Sequence, residues 1–312
     1  MPHRGRLNML ANVVRKPTET IFAEFQGVMP AEDEEANWHR NSGDVKYHLG
    51  TNYTRTYPDG KKMTVEILAN PSHLECINPV VMGKVRAEQH YSGDSAKRQK
   101  ICPILIHGDA AFSGQGVVYE SMQMQDLTNY TVGGTIHVIV NNQIGFTTTP
   151  NKGRSAVYCS DLAKAINAPI FHVNADSMED VTHVFEAAAE YRQIFHHDII
   201  IDLIGYRKMG HNELDQPSFT QPFMYKQIAK MQPVARIYEQ QCLDNDTVTP
   251  EQLVAMKKLC KETLEKEYLL SKTLEYKAED WKTGDWEAIK HIEDFDMQKE
   301  SGLDVERIMD VG

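Results

Sequence analysis

Residues 101–116 read ICPILIHGDAAFSGQG, and residues 135–146 read TIHVIVNNQIGF. Each stretch opens with a short apolar run, as buried parallel strands do, and each run ends in polar residues. The polar residues are Gly108-Asp109 after the first run and Asn141-Asn142 after the second. A helix-like segment over 117–127 separates the two runs. This order of strand, loop, helix and strand predicts a βαβ unit, in which ligands bind beyond the carboxyl ends of the strands.

The residues at these two strand ends have the chemistry of a site for a hard divalent cation. Asp109 offers a carboxylate and Asn142 a neutral amide oxygen, and Mg²⁺ accepts both. A backbone carbonyl near Ile144 is a candidate for a third protein ligand, and a diphosphate would fill the remaining positions. Gly114 and Gly116 let a backbone approach a phosphate closely. The plainer alternative is that Gly-Asp and Asn-Asn only end strands and begin turns.

Composition and the absence of other motifs exclude several classes of protein. The 312 residues carry a net charge of −11, which argues against nucleic acid or an anionic membrane as the main partner. No apolar run reaches the length of a membrane span. The five cysteines contain no CxxC pair, so the pattern indicates reduced thiols and neither a disulfide scaffold nor a zinc site. A nicotinamide dehydrogenase is disfavoured, because no dinucleotide fingerprint or P-loop is present.

The alternation of apolar runs and helical segments continues after the βαβ unit. Strands are predicted over 170–173 and 199–204, with a helix over 178–196 between them. This pattern is typical of an α/β protein with a doubly wound parallel sheet. We assign the sheet domain to residues 1–222 and a helical or irregular C-terminal appendage to residues 223–312.

The appendage contains one strong helix start. Thr249 precedes a proline at the first helical position and Gln252 three positions later, which is the pattern of a capping box. An apolar stripe follows, and we expect it to pack into a core: Leu253, Met256, Cys260 and Leu264.

The two strand-end motifs resemble the thiamin diphosphate motif, written GDG and followed further along the chain by NN, with Ala110 in place of the last glycine. Longer strings carry a more specific resemblance: HRGRLN (3–8), SGDVKYHLG (42–50), NPSHLE (70–75), HGDAAFSGQG (107–116), VNNQIGFTT (140–148), APIFHVNAD (168–176) and GHNELDQP (210–217). They are similar to the decarboxylase (first) component of the 2-oxoglutarate dehydrogenase complex, nearly from end to end.

This resemblance implies the thiamin diphosphate-binding fold, with thiamin diphosphate and Mg²⁺ as cofactors. It implies oxidative decarboxylation of 2-oxoglutarate in the tricarboxylic acid cycle, with transfer of the succinyl group to a lipoyl domain. The implied partners are the lipoyl-bearing succinyltransferase, the dihydrolipoyl dehydrogenase and a second copy in the full-length homodimer. The implied location is the mitochondrial matrix if the source is eukaryotic, and the cytoplasm otherwise.

The resemblance also assigns roles to particular residues. By similarity, His48 and Ser72 lie near the substrate, and His48, His73 and His211 serve in binding or proton transfer, for which histidine is suited. The residues implied to contact the cofactor are Arg4, Ser72, the backbone at Leu74, Asp109, the amides of Ala110 and Ala111, Asn142 and Ile144. Of these, Asp109, Asn142 and Ile144 are the implied metal ligands. Arg4 is equally well explained as an exposed charge, and His107 as a brace for the metal loop.

Family members are much longer than this chain, which resembles their central region, so we interpret Met1 as an internal or truncated start. By resemblance, the glutamate that activates the cofactor belongs to a second thiamin domain, so we expect no turnover by the 312 residues alone. Two alternatives stay open. One is a 2-oxoadipate substrate, against which Tyr47 argues. The other is a non-catalytic fragment that binds partner subunits, or the cofactor weakly, and modulates assembly.

Overall fold

The computed structural model describes residues 1–2, 4–27, 48, 50–274, 302 and 304–309. The strands are β1 (Thr51–Thr56), β2 (Lys62–Ile67), β3 (Ile104–Gly108), β4 (Ile136–Asn141), β5 (Ile170–Asn174) and β6 (Ile199–Ile204). The α-helices are α1 (Arg6–Asn8), α2 (Thr18–Phe25), α3 (Ile77–Tyr91), α4 (Asp109–Gly114), α5 (Gly116–Met122), α6 (Pro150–Gly153), α7 (Met178–Phe195), α8 (Pro217–Thr220), α9 (Pro222–Ile228), α10 (Val234–Asp244), α11 (Pro250–Leu270) and α12 (Val305–Met309).

Strands β3 to β6 form one parallel sheet in the order β3-β4-β6-β5. Side chains alternate between the two faces of a strand, and both faces of this sheet are covered. On one face, Ile139 and Ile200 pack with Phe112 of α4 and Val118 of α5. On the other, the neighbouring β4 and β6 residues pack against α7. The predicted α/β class with a doubly wound parallel sheet is confirmed.

A separate two-stranded antiparallel sheet lies near the start of the chain, where β1 pairs with β2. The segment before it forms α1, a π-helical turn over Met9–Val13 and α2. Arg6 of α1 is fully buried and donates from Nη2 to the carbonyls of Leu68 (2.6 Å) and His48 (3.4 Å). These contacts hold the segment carrying His48 next to the end of β2.

The chain divides into two compact units, Met1–Tyr276 and Lys277–Gly312. In the first, the capping box at Thr249 is confirmed: its hydroxyl accepts from the amide of Gln252 at 3.3 Å, and the Gln252 side chain accepts from the amide of Thr249. The second contributes α12 to the described residues. The predicted domain boundary at residue 222 stays a prediction.

The expectation that α11 packs an apolar stripe into a core is wrong. Met256 is 58% exposed, Leu264 is 48% exposed, Cys260 is exposed and Leu253 is half-buried. Charged residues lie between these positions, and most of this helix is exposed. Among the described helices, none is both long and apolar enough to span a membrane. Tyr47 and most of the segment over 273–312 fall outside the described residues.

Candidate active site

The two predicted metal-binding residues lie at neighbouring strand ends. Gly108, the last residue of β3, pairs in parallel register with Val140 of β4, so Asp109 and Asn142 both follow the carboxyl edge of the sheet. The loop after β4 folds back against α4. A Cβ added at Gly145 would lie 2.7 Å from the Cβ of Ala110, so this close approach needs glycine.

Asp109 is held in an electrostatic setting that suits a cation. Its side chain is 2% exposed, and burial raises its pKa to about 6, while the charge of Arg154 opposes that rise. The Nη1 of Arg154 is 3.9 Å from Oδ2 of Asp109, too far for a hydrogen bond. A buried carboxylate without a close cation is destabilised as an anion, and a divalent ion would relieve this.

The turn after β4 is fixed by two consecutive asparagines. The Oδ1 of Asn142 accepts from the amide of Ile144 at 3.2 Å, and the Oδ1 of Asn141 accepts from the amide of Gln143 at 3.1 Å. Asn141 also donates from Nδ2 to Oδ1 of the buried Asp202 at 2.9 Å. An amide oxygen has two lone pairs, so the Oδ1 of Asn142 keeps capacity for a metal.

The residues at this edge fit a magnesium diphosphate. The available donors are a carboxylate, an amide oxygen and backbone carbonyls, which are the hard oxygen ligands that Mg²⁺ prefers. Among the described residues, no three His, Cys, Asp or Glu side chains are grouped to hold a metal by themselves. The predicted site differs from such a cluster, because it has one carboxylate and its other donors are amide and backbone oxygens. Beside it, the buried Nε of Arg154 has no hydrogen-bond partner in the described part of the chain and can receive an anion.

Arg4 and His211, predicted from distant parts of the sequence, lie together. Arg4 donates from Nη2 to the carbonyl of His211 at 3.0 Å, and the same nitrogen is 3.5 Å from the His211 Nδ1. The ring of His211 meets that of Phe146 edge-on at 4.8 Å, which joins this pair to the loop after Asn142. The buried Arg207 donates to the Phe146 carbonyl at 3.2 Å. Burial, and next the charge of Arg207, lower the pKa of Arg4.

His48 and the turn over 72–74 form the third part of the site. The carbonyl of the buried His48 accepts from the amide of Asn70 at 2.9 Å, so His48 adjoins the start of that turn. Ser72, His73 and Leu74 are exposed. They therefore have side chains open to a ligand, while the backbone on either side of them is anchored.

A buried chain of polar side chains connects this turn to the sheet. Oε2 of Glu75 is 2.6 Å from Nδ1 of His107, and Nε2 of His107 is 3.0 Å from Nδ1 of His137. Nε2 of His137 is 3.5 Å from Oδ2 of Asp198. The expectation that His107 braces the metal loop agrees with its complete burial directly before Gly108.

Four residues at or beside the site were not predicted: Glu75, Arg154, Asp202 and Arg207. Their only sequence signal is position, since Glu75 directly follows the exposed turn and Arg207 precedes His211 by four residues. Two histidines within the strands also make contacts that the sequence did not predict. His137 is buried but belongs to the polar chain, and His172 is exposed with its Nδ1 2.9 Å from Oδ2 of Asp202.

The model of the family described as "Dehydrogenase E1 component" matches residues 1–278, which is most of the chain. The chain belongs to this dehydrogenase E1 family. Members of the dehydrogenase E1 family depend on thiamin diphosphate and Mg²⁺, so the cofactors implied by the resemblance are those of the family. The predicted resemblance to the first component of the 2-oxoglutarate dehydrogenase complex is confirmed by relatives of that name.

The E1 relatives include proteins named 2-oxoglutarate dehydrogenase, mitochondrial. The one from Schizosaccharomyces pombe is 53% identical over 272 residues, which is 87% of this chain and 26% of the relative. The one from Dictyostelium discoideum is 52% identical over 269 residues, covering 86% and 26%. A protein from Xenopus laevis named 2-oxoglutarate dehydrogenase-like, mitochondrial is 52% identical over 267 residues, covering 84% and 26%. The chain thus spans about a quarter of the length of these relatives.

Proposed function

We propose that this chain binds the diphosphate of thiamin diphosphate through Mg²⁺, as part of an enzyme that oxidatively decarboxylates 2-oxoglutarate and passes the succinyl group to a lipoyl domain. The observation that carries the proposal is the buried Asp109 beside the loop of Asn142, in a chain of the dehydrogenase E1 family. The names of the relatives support the substrate.

Each part of the site has a separate task in this proposal. The carboxylate of Asp109, the amide oxygen of Asn142 and the carbonyl of Ile144 hold Mg²⁺, and the amides of Ala110 and Ala111 face the diphosphate. The backbone at Leu74 contacts the aminopyrimidine ring. When bound, thiamin diphosphate supplies the carbon nucleophile and the electron sink that decarboxylation requires.

The substrate has two carboxylates, and the remaining residues suit it. Arg4 brings a guanidinium to the edge that His211 also occupies, and a guanidinium binds a carboxylate through charge-assisted hydrogen bonds. His48 and Ser72 contact the substrate, and His73 and His211 bind it or move a proton. Histidine can do both near neutral pH because its two charge states lie close in free energy there.

Further proposals concern the setting of the reaction. The lipoyl-bearing succinyltransferase would accept the succinyl group, the dihydrolipoyl dehydrogenase would complete the complex, and the full-length enzyme would be a homodimer. We place the protein in the mitochondrial matrix if its source is eukaryotic, since the relatives are named mitochondrial, and in the cytoplasm otherwise.

Calorimetric titration of the chain with thiamin diphosphate tests the proposal. Binding is expected with Mg²⁺, and is expected to be lost with EDTA and in Asp109→Ala. Asp126→Ala is the matched control, because Asp126 is an exposed aspartate paired with His197, and it should bind as the original chain does. Equal binding with and without Mg²⁺, or binding by Asp109→Ala, would overturn the metal assignment. Absence of binding would favour the alternative of a non-catalytic assembly fragment.

Turnover is a separate question. By resemblance, the glutamate that activates the cofactor lies in a second thiamin domain, so the purified 312 residues should bind cofactor without releasing carbon dioxide. Carbon dioxide release from 2-oxoglutarate by these residues alone would contradict this. The alternative substrate is tested in a full-length protein, by comparing the activities on 2-oxoglutarate and 2-oxoadipate.

A further inference from the structure

The contact between Glu75 and His107 joins two segments of the site that are 32 residues apart in sequence. Glu75 directly follows the exposed turn over 72–74, and His107 is followed by Gly108 and the metal residue Asp109. Both side chains are buried, with 7% exposure for Glu75 and none for His107. The 2.6 Å distance between Oε2 and Nδ1 is that of a charge-assisted hydrogen bond.

The backbone at Glu75 supports a special role for this side chain. Its φ is +71°, in the left-handed region that residues with a Cβ rarely adopt. Such a conformation costs free energy and persists where surrounding contacts enforce it. Here Oε2 accepts a second hydrogen bond, from Nδ2 of Asn78 in the first turn of α3, at 2.9 Å. One oxygen therefore anchors the turn to both α3 and β3.

We propose that Glu75 is a positioning residue for the cofactor site, because its carboxylate fixes the 72–74 turn against the carboxyl end of β3. This inference rests on the proposed function, in which the turn contacts the cofactor and Asp109 its metal. Without this carboxylate, the direct hydrogen bond between the turn and the end of β3 is lost, and the two segments are held together less tightly. The affinity for a ligand that both must touch then falls, since side chains that orient metal ligands commonly account for about 10- to 100-fold in metal affinity.

A purely structural role is the competing explanation, and the other end of the same chain provides its control. Asp198 is as buried as Glu75 and contacts His137 at 3.5 Å, but it precedes β6 and accepts from the amide of Thr135 before β4. It therefore lies at the amino edge of the sheet, away from the site. Replacement of Asp198 should affect stability and leave cofactor binding alone.

The test compares Glu75→Ala, Glu75→Gln and Asp198→Asn in the whole chain, at a temperature where circular dichroism shows all of them folded. Glutamine can place its amide oxygen where Oε2 lies and accept both hydrogen bonds, so it is the conservative rescue. Two measurements are made on each variant. One is calorimetric binding of thiamin diphosphate with Mg²⁺, and the other is amide hydrogen exchange over 70–76 and 109–112.

Glu75→Ala should bind at least about tenfold more weakly than the original chain, with faster exchange over 70–76. Glu75→Gln should recover most of the affinity, and Asp198→Asn should match the original chain in both readouts. Equal affinity in Glu75→Ala, or an equal loss in Asp198→Asn, would overturn the inference. If the original chain binds no cofactor, the proposed function fails and the exchange data alone test the role of Glu75. Unchanged exchange over 70–76 in Glu75→Ala then shows that Glu75 does not fix the turn. Selective acceleration there shows that it does.

Discussion

Gly145 and Ala110 approach so closely that a Cβ on Gly145 would lie 2.7 Å from the Cβ of Ala110. Ala110 stands where the thiamin diphosphate motif usually has glycine. At this contact Ala110 therefore carries a methyl group and Gly145 carries none.

Gly145→Ala should push the loop after β4 away from α4 and weaken Mg²⁺-dependent cofactor binding, with a loss of about 1–3 kcal/mol in stability from overpacking. The compensating change Ala110→Gly should restore much of both, because it removes the opposing methyl group. Thermal unfolding and calorimetry on the two single variants and the double variant measure this coupling. Gly83→Ala is the control, since no atom lies within 4 Å of its added Cβ. If the effects of the two single changes simply add in the double variant, the steric explanation is wrong.

Asp109→Asn should stabilise the metal-free chain at pH 7 while it reduces metal affinity. Burial raises the pKa of Asp109 to about 6 in the folded state, above its value of 3.8 in the unfolded chain. The folded state therefore binds more protons between these values, and the free energy of unfolding falls as pH rises through this window. The variant avoids a cost on the order of 3 kcal/mol at pH 7. Chemical denaturation in EDTA should show this gain at pH 7 and only about a third of it at pH 4.5.

Arg192→Leu should be strongly destabilising. The buried guanidinium of Arg192 donates to the carbonyls of Gly134 (3.0 Å), Val132 (3.0 Å) and Ile101 (3.1 Å), which precede β3 and β4. Leucine removes these donors from buried acceptors, and we expect a loss of about 3 kcal/mol. Arg236→Leu, which removes an exposed ion pair with Glu239, should change stability by about 0.5 kcal/mol or less. Urea unfolding measures the loss of stability in both variants. Similar losses would contradict the structural role given to Arg192.

Cys159 should resist alkylation in the folded chain. Its side chain is 1% exposed, and burial, followed by the negative charge of Asp202, raises the pKa of its thiol to about 12. The thiolate is the reactive form, so at pH 8 almost none is available. Iodoacetamide followed by mass spectrometry should modify the exposed Cys76 and Cys260 and spare Cys159 until denaturant is added. Prompt modification of Cys159 in the native protein would show that its burial is transient.

The parallel sheet was largely predictable because its strands are apolar and end at polar residues. The strand over 199–204 was predicted with the observed bounds, and β3 differs by a few residues. The strand β1 gave no such signal, since TNYTRT is polar and mostly exposed. Helix α3 was not predicted from its beginning at Ile77, because Pro79 lies in its first turn, where proline is nevertheless tolerated.

The strand-end residues Asp109 and Asn142 were predictable from parallel-sheet geometry alone. The contacts around them were not, because a pairing such as Glu75 with His107 depends on how α3 approaches the sheet. No local periodicity encodes that approach. For Met256 the helical spacing was predicted correctly, but spacing alone does not show whether a second element covers that face, and the side chain is exposed.

The hydrogen bond from Arg4 to the His211 carbonyl spans 207 positions in sequence. During synthesis, Arg4 leaves the ribosome 207 residues before its acceptor does. This contact therefore forms only after the strands between the two residues have been made. A nascent polypeptide arrested before residue 211 would carry the magnesium loops without the basic wall that Arg4 and His211 form.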